Sequence, residues 1–143
     1  MSNAERNKKA VLTYFEACGN GDLASFESTL NPNVVHYFLQ PMHKPIFGSE
    51  HLTRYWLRFL RDYKPIWRVD HILATADEAV SEWSCDFLPK SDGGRKMFRG
   101  TEWYVMRNFR ICEVRAYYQY DDQRDSELAK FPYAERGYLV KAE

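Results

Sequence analysis

The stretch Gly100–Tyr118, GTEWYVMRNFRICEVRAYY, decides the fold. Two runs, Gly100–Arg107 and Ile111–Tyr118, are rich in Val, Ile, Tyr and Trp, which suit a pleated, half-buried surface. The break at Asn108, Phe109 and Arg110 between them predicts a β-hairpin. Alternation puts Glu102, Tyr104 and Met106 on one face of the first strand and Trp103, Val105 and Arg107 on the other. On the second strand Cys112, Val114, Ala116 and Tyr118 share a face, opposite Glu113, Arg115 and Tyr117. One face is thus nearly apolar and carries a single carboxylate, Glu102. Turning Glu102 outward, to pair with Arg99 or Arg115, would force Trp103 and Val105 inward together.

Outward from the hairpin, the chain divides into early helices and late strands. Ala10, Val11, Tyr14, Phe15 and Cys18 recur at helical spacing, which predicts an amphipathic helix over 4–18 stopped by Gly19-Asn20-Gly21. Asp22 is placed to cap a second helix to Leu30, with Leu23, Phe26 and Leu30 buried. Asn31-Pro32-Asn33 follows, and Val34–Leu39 reads as a short strand. A loop with Pro41, His43 and Pro45 leads to a third helix from Gly48 or Ser49 to Tyr63, striped by Leu52, Tyr55, Trp56, Phe59, Leu60 and Tyr63. Strands are expected at Ile66–Thr75 and Ala79–Leu88, the latter alternating Trp83, Cys85 and Phe87 with Glu82, Ser84 and Asp86. Ser91-Asp92-Gly93-Gly94 reads as a hairpin turn. Beyond Asp121, Ser126–Lys130 reads as a helical turn in an aromatic tail over about 122–143.

This order predicts one α+β domain over 1–143, core about 4–121. A cone-shaped, curved antiparallel sheet wrapped around the N-terminal helices would leave a deep hydrophobic cavity. The chain of 143 residues is long enough for a real core, and its 20 acidic and 20 basic residues balance. With no basic stripe, nucleic acid and anionic membrane are disfavoured as partners. The three cysteines, Cys18, Cys85 and Cys112, show no metal-ligand spacing, so no metal site is expected. The odd count, and an amino terminus without an apolar targeting core, favour the cytoplasm.

Aromatics make up 16% of the chain and must fill a core, a pocket wall or an interface. Phe38, Trp56, Trp83, Phe87, Tyr104 and Tyr118 are the expected cavity residues, with His43 on a loop near the mouth. Val34, His36 and Phe38 share one strand face and Val35, Tyr37 and Leu39 the other, and the two faces are about equally apolar. In the first parity His36 meets Glu102 in the cavity, and a buried imidazole beside a carboxyl is a general acid/base pair. On the outer sheet face Trp103, Val105 and Tyr117 are too apolar for full solvation, which suits a subunit interface.

The pattern resembles the nuclear transport factor 2-like superfamily, in its SnoaL-like and ketosteroid-isomerase-like branch. Tyr14 with Gly21-Asp22-Leu23, Gly48 before the third helix, Ala76-Asp77-Glu78-Ala79 and Glu113-Val114-Arg115-Ala116-Tyr117-Tyr118 carry the resemblance, over roughly Ala10–Tyr120. It implies a cystatin-like α+β barrel and a sheet-to-sheet homodimer. The ketosteroid isomerase mechanism uses a base carboxylate and an oxyanion hole of Tyr and protonated acid. By resemblance the oxyanion Tyr falls on Tyr14, the acid on Glu102 and the supporting aromatic on Trp56, but the base falls on Phe38. The acid of the limonene-epoxide-hydrolase-like members falls on Ala116. The His/Asp pair of SnoaL-type cyclases has His36 and Glu102 as candidates. The resemblance therefore implies a cofactor-independent acid/base enzyme, of isomerase, cyclase or dehydratase type, acting on a small hydrophobic ring-containing molecule. Phe38 at the base position favours the alternative, a non-catalytic ligand-binding or dimeric interaction module.

Overall fold

The computed structural model of the chain describes residues 1–91 and 93–141. Asp92, within the turn expected at 91–94, and the last two residues of the tail lie outside the described residues. Helix α1 (Asn3–Asn20) starts at a capping box, in which Glu5 N–H donates to Ser2 Oγ at 3.1 Å and Ser2 N–H to Glu5 Oε2 at 2.7 Å. It ends where Gly21 turns left-handed at φ 74° and its N–H donates to Ala17 O. Asp22 caps α2 (Leu23–Thr29) by accepting from Ala24 N–H at 3.2 Å. The expected stripe of α2 is corrected at Leu23, which is exposed on the first turn; Phe26 and Leu30 are buried.

Six strands follow: β1 (Leu30–Phe38), β2 (Ile46–Phe47), then, after α3 (Ser49–Tyr63), β3 (Ile66–Ala74), β4 (Glu78–Phe87), β5 (Lys96–Arg107) and β6 (Arg110–Tyr118). They form one sheet in the order β2-β1-β6-β5-β4-β3. Every pairing is antiparallel except β1 with β6, which is parallel and joins the first long strand to the last. The hairpin is as expected, with Arg107 opposite Arg110 and Asn108 and Phe109 both at positive φ, 50° and 60°. That is the pair of conformations a two-residue type I′ turn requires.

One face of β6 differs from simple alternation. A register shift follows Val105, so that Val105 opposes Glu113 while Met106 opposes Ile111. The extra residue is Cys112. It is half-buried while Ile111 is fully buried, so Ile111 and not Cys112 joins Val114 and Ala116 on the inner face.

The concave face packs on α1 and α3 through Val11, Tyr14, Phe15, Leu52 and Trp56, each such buried side chain contributing about 1.5–3 kcal/mol. Gly100 sits under the Trp83 indole in the strand centre, where a Cβ would lie 2.5 Å from the ring and 2.8 Å from Tyr117 O. On the convex face the tail beyond β6 is lashed down rather than free. Arg68 donates to Gly137 O at 2.9 Å, Leu139 N–H to Asp70 at 2.9 Å, and Arg99 to Leu139 O at 2.7 Å. The Arg99 guanidinium also lies 3.6 Å over the Tyr133 ring. Ser126–Lys130, expected as a helical turn, instead forms a bridge at Ser126 to Phe98 followed by a turn. The tail therefore covers the outside of β3–β5 and leaves the concave side alone.

Candidate active site

The parity of β1 is settled by burial: Val34 and His36 are fully buried, while Tyr37 and Leu39 are exposed. The cross-sheet register then builds the site. Glu102 opposes Ala116, and Ala116 opposes Phe38, so one row of the concave face reads Phe38, Ala116, Glu102. His36 lies in the next row, opposite Val114. Because Ala116 is small, His36 and Glu102 approach above it, and His36 Nε2 stands 3.7 Å from Glu102 Oε1. That is too long for a hydrogen bond and close enough for both to touch one ligand atom. Among the described residues neither nitrogen of His36 has a hydrogen-bond partner.

Glu102 is held from behind. Tyr104 OH donates to Glu102 Oε2 at 2.7 Å, and Ser81 Oγ meets the same Tyr104 hydroxyl at 2.7 Å. With Tyr104 donating to the carboxylate, Ser81 donates to Tyr104, giving a buried relay Ser81–Tyr104–Glu102 with Oε1 left for the cavity side. Burial, and secondarily the Glu102 charge, push the Tyr104 phenol well above its ordinary range, so it remains a donor. The outward alternative for Glu102 is excluded: Arg99 pairs with Glu127 and Arg115 with Glu113.

These groups sit at the end of a cavity of about 640 Å³. Of the expected wall residues, Phe38, Trp56, Trp83, Tyr118 and His43 line it. Tyr104 and Phe87 do not: Tyr104 is the support behind Glu102, and Phe87 is fully buried, edge-on to Phe98 at 5.2 Å. Phe38, at the isomerase-base position, stacks on His43 at 3.8 Å and tilts against His36 at 4.2 Å. Burial and the neighbouring His36 push the His43 pKa down. Tyr14 does not reach the wall; its hydroxyl accepts from Trp56 Nε1 at 2.7 Å, behind the indole. Burial raises that phenol well above its usual range, helped by Cys18 and Glu102.

Sequence reasoning missed Tyr55, Phe59 and Tyr63 of α3, Trp67 of β3 and Phe98 of β5 as wall residues. The α3 stripe marks a buried side and gave Trp56 as a wall residue, but its spacing does not show how far along that side the cavity extends. It also missed the rim. Gln40, Met42 and Lys44 from the β1–β2 loop, Arg58 and Asp62 from α3, and Lys90 surround the mouth. Among the described residues no group of His, Cys, Asp and Glu could hold a metal ion, and no helix is long and apolar enough to cross a membrane.

Three helices packed in the concave face of one curved six-stranded sheet define the cystatin-like α+β class. Within it, residues 11–114 match the family model of the SnoaL-like domain, most of the chain, and the protein belongs to that family. No curated protein matches the sequence. Among solved structures, a protein of unknown function with cystatin-like fold from Methylobium petroleophilum PM1 is 28% identical, with TM-score 0.72 over 97% of this chain and 94% of that one. A candidate polyketide cyclase from Xanthomonas campestris pv. campestris is 20% identical, with TM-score 0.70 over 82% of this chain and 93% of the other. An LEH-like epoxide hydrolase from M. tuberculosis is 16% identical, with TM-score 0.71 over 82% and 86% of the two chains. At those last two identities the likeness is one of fold.

Proposed function

We propose that the protein is a cofactor-independent enzyme that moves a proton at carbon in a small hydrophobic ring-containing molecule, by isomerisation, aldol-type cyclisation or dehydration. The observation that carries this is the convergence of His36 Nε2 and Glu102 Oε1, 3.7 Å apart, at the end of an aromatic cavity. Among the described residues His36 has no partner to hold its ring nitrogens, so its free nitrogen takes the proton from a carbon acid seated beside it. Glu102, with Tyr104 behind it, donates to the oxygen on which charge develops and takes that proton back as the product forms, while His36 returns its proton to carbon or, in a dehydration, to the leaving hydroxyl. Phe38, at the place of the isomerase base, brings no second carboxylate and packs between the His36 and His43 rings.

The test uses 2-tetralone, a ring ketone with an exchangeable C–H, and follows deuterium uptake by NMR. Wild-type protein is expected to accelerate exchange, and Glu102→Gln and His36→Ala to lose about 10²–10⁴-fold, the usual worth of a positioned acid or base. Exchange at wild-type rate in both variants refutes the assignment. Tight binding of the ketone without any exchange in the wild type favours the second reading, a binding module, to which the Phe38 position points.

The convex face supports a homodimer as a further part of this reading. The tail occupies the β3–β5 part, while Trp103 and Tyr117 remain 37% and 51% exposed, with Val105 half-buried between strands. A second copy covering them would remove this apolar area from water. Light scattering after size exclusion is expected to give twice the chain mass, and the chain mass for Trp103→Glu; a wild-type monomer at micromolar concentration refutes it.

A further inference from the structure

The charges around the cavity are unevenly placed. The far end holds Glu102, buried and engaged with Tyr104. The rim holds three cations, Lys44, Arg58 and Lys90, and one carboxylate, Asp62. Asp62 is already compensated twice: Arg61 donates to both its oxygens at 2.8 and 3.3 Å, and Lys90 Nζ stands 3.7 Å away. Lys44 and Arg58 have no ion-pair partner among the described residues. They come from different elements, the β1–β2 loop and α3, and both line the same cavity as exposed side chains. Between rim and far end the wall is aromatic, through Tyr55, Phe59 and Trp67.

Resting on the reading above, we propose that the natural ligand is an amphipathic ring acid. Its apolar ring body lies in the aromatic barrel with the reacting carbon at His36 and Glu102, and its carboxylate remains at the rim against Lys44 and Arg58. The polarity follows from cost. A carboxylate carried inward would be desolvated beside Glu102, whereas at the rim it keeps part of its water and gains two cations. The volume fits: about 640 Å³ falls within the range of small-molecule sites and accommodates two or three rings. The arrangement also fixes direction of entry, since the rim cations attract the acid end and leave the ring to go in first.

A matched pair of probes tests this by isothermal titration calorimetry: 2-naphthylacetic acid and its uncharged analogue 2-naphthylacetamide. Exposed ion pairs add a few-fold each, so the acid is expected to bind about tenfold tighter than the amide at low ionic strength. The preference should shrink towards parity in 1 M NaCl, where the screening length is about 3 Å. It should also disappear in the Lys44→Gln/Arg58→Gln double variant while the affinity for the amide stays the same. Equal binding of acid and amide, a preference that survives the double substitution, or no heat from the acid at millimolar concentration each overturns the proposal. An acid preference together with 2-tetralone exchange indifferent to Glu102→Gln leaves the rim assignment standing and refutes the chemistry. Equal binding with Glu102-dependent exchange does the reverse.

Discussion

Replacing Gly100 by alanine asks how tightly the hairpin is built against the cavity wall. The added Cβ meets two different neighbours: Trp83 Cζ2 at 2.5 Å and the backbone oxygen of Tyr117 at 2.8 Å. The ring can rotate only into the aromatic wall, and the oxygen belongs to the paired strand β6, where Tyr118 opposes Gly100. Overpacking of this kind costs about 1–3 kcal/mol. Against it stands a gain of about 0.4–1 kcal/mol from the stiffer unfolded chain, available at this site because Gly100 does not need a left-handed backbone. The net expectation is a loss of about 1–2 kcal/mol, read in urea as a lower midpoint with unchanged slope. For a chain of this size that is a fall in melting temperature of about 3–8 °C. Since Trp83 lines the cavity, its indole emission should shift at the same time. An alanine variant as stable as the parent, with unchanged emission, refutes the close approach.

Two further outcomes separate roles within the site. Tyr14→Phe should lower stability by about 1 kcal/mol, through the lost bond from Trp56 Nε1, and alter 2-tetralone exchange by less than about threefold; a drop of about 10²-fold would restore Tyr14 as an oxyanion donor. His43, whose pKa is depressed chiefly by burial, makes the unfolded chain bind more protons than the folded one between the depressed value and the ordinary 6.5. Stability should therefore rise with pH through that window and level off above it. His43→Gln should flatten the rise, and an unchanged pH profile refutes the attribution.

Much of the fold was readable because its signals are local. Helical spacing in α1 and α3, the Asp22 cap and the strand alternation around Gly100 each act within a few residues, and each appears in place. Glu102 was legible as an inward carboxylate for the same reason, since reversing it would have exchanged a whole strand face. The parity of His36 was not, because both faces of β1 are apolar and only its parallel pairing with β6 decides between them. The Cys112 bulge escaped because one inserted residue changes the face without changing the composition. Tyr14 was assigned by resemblance to a ligand-facing role with Trp56 as its support; the Trp56–Tyr14 pairing is present, but it lies behind the indole and off the cavity wall, a depth that alternation and spacing do not encode. The cationic rim escaped because it is assembled from a loop, a helix and a strand connection remote in sequence.

The parallel pairing of β1 with β6 also sets a timetable for synthesis. β1 ends at Phe38, and its interior neighbour is complete only at Tyr118, about 80 residues later. At ordinary rates of translation the interval is about 4–16 s. Until β6 arrives, the long edge of β1 is without its inner partner, and His36 and Glu102 belong to separate pieces of chain. The pairing is one of high contact order, which places it among the slow steps of folding. Approach of His36 to Glu102 and closure of the sheet are thus the same event, so a nascent chain released before β6 has neither, and exposes an edge prone to association.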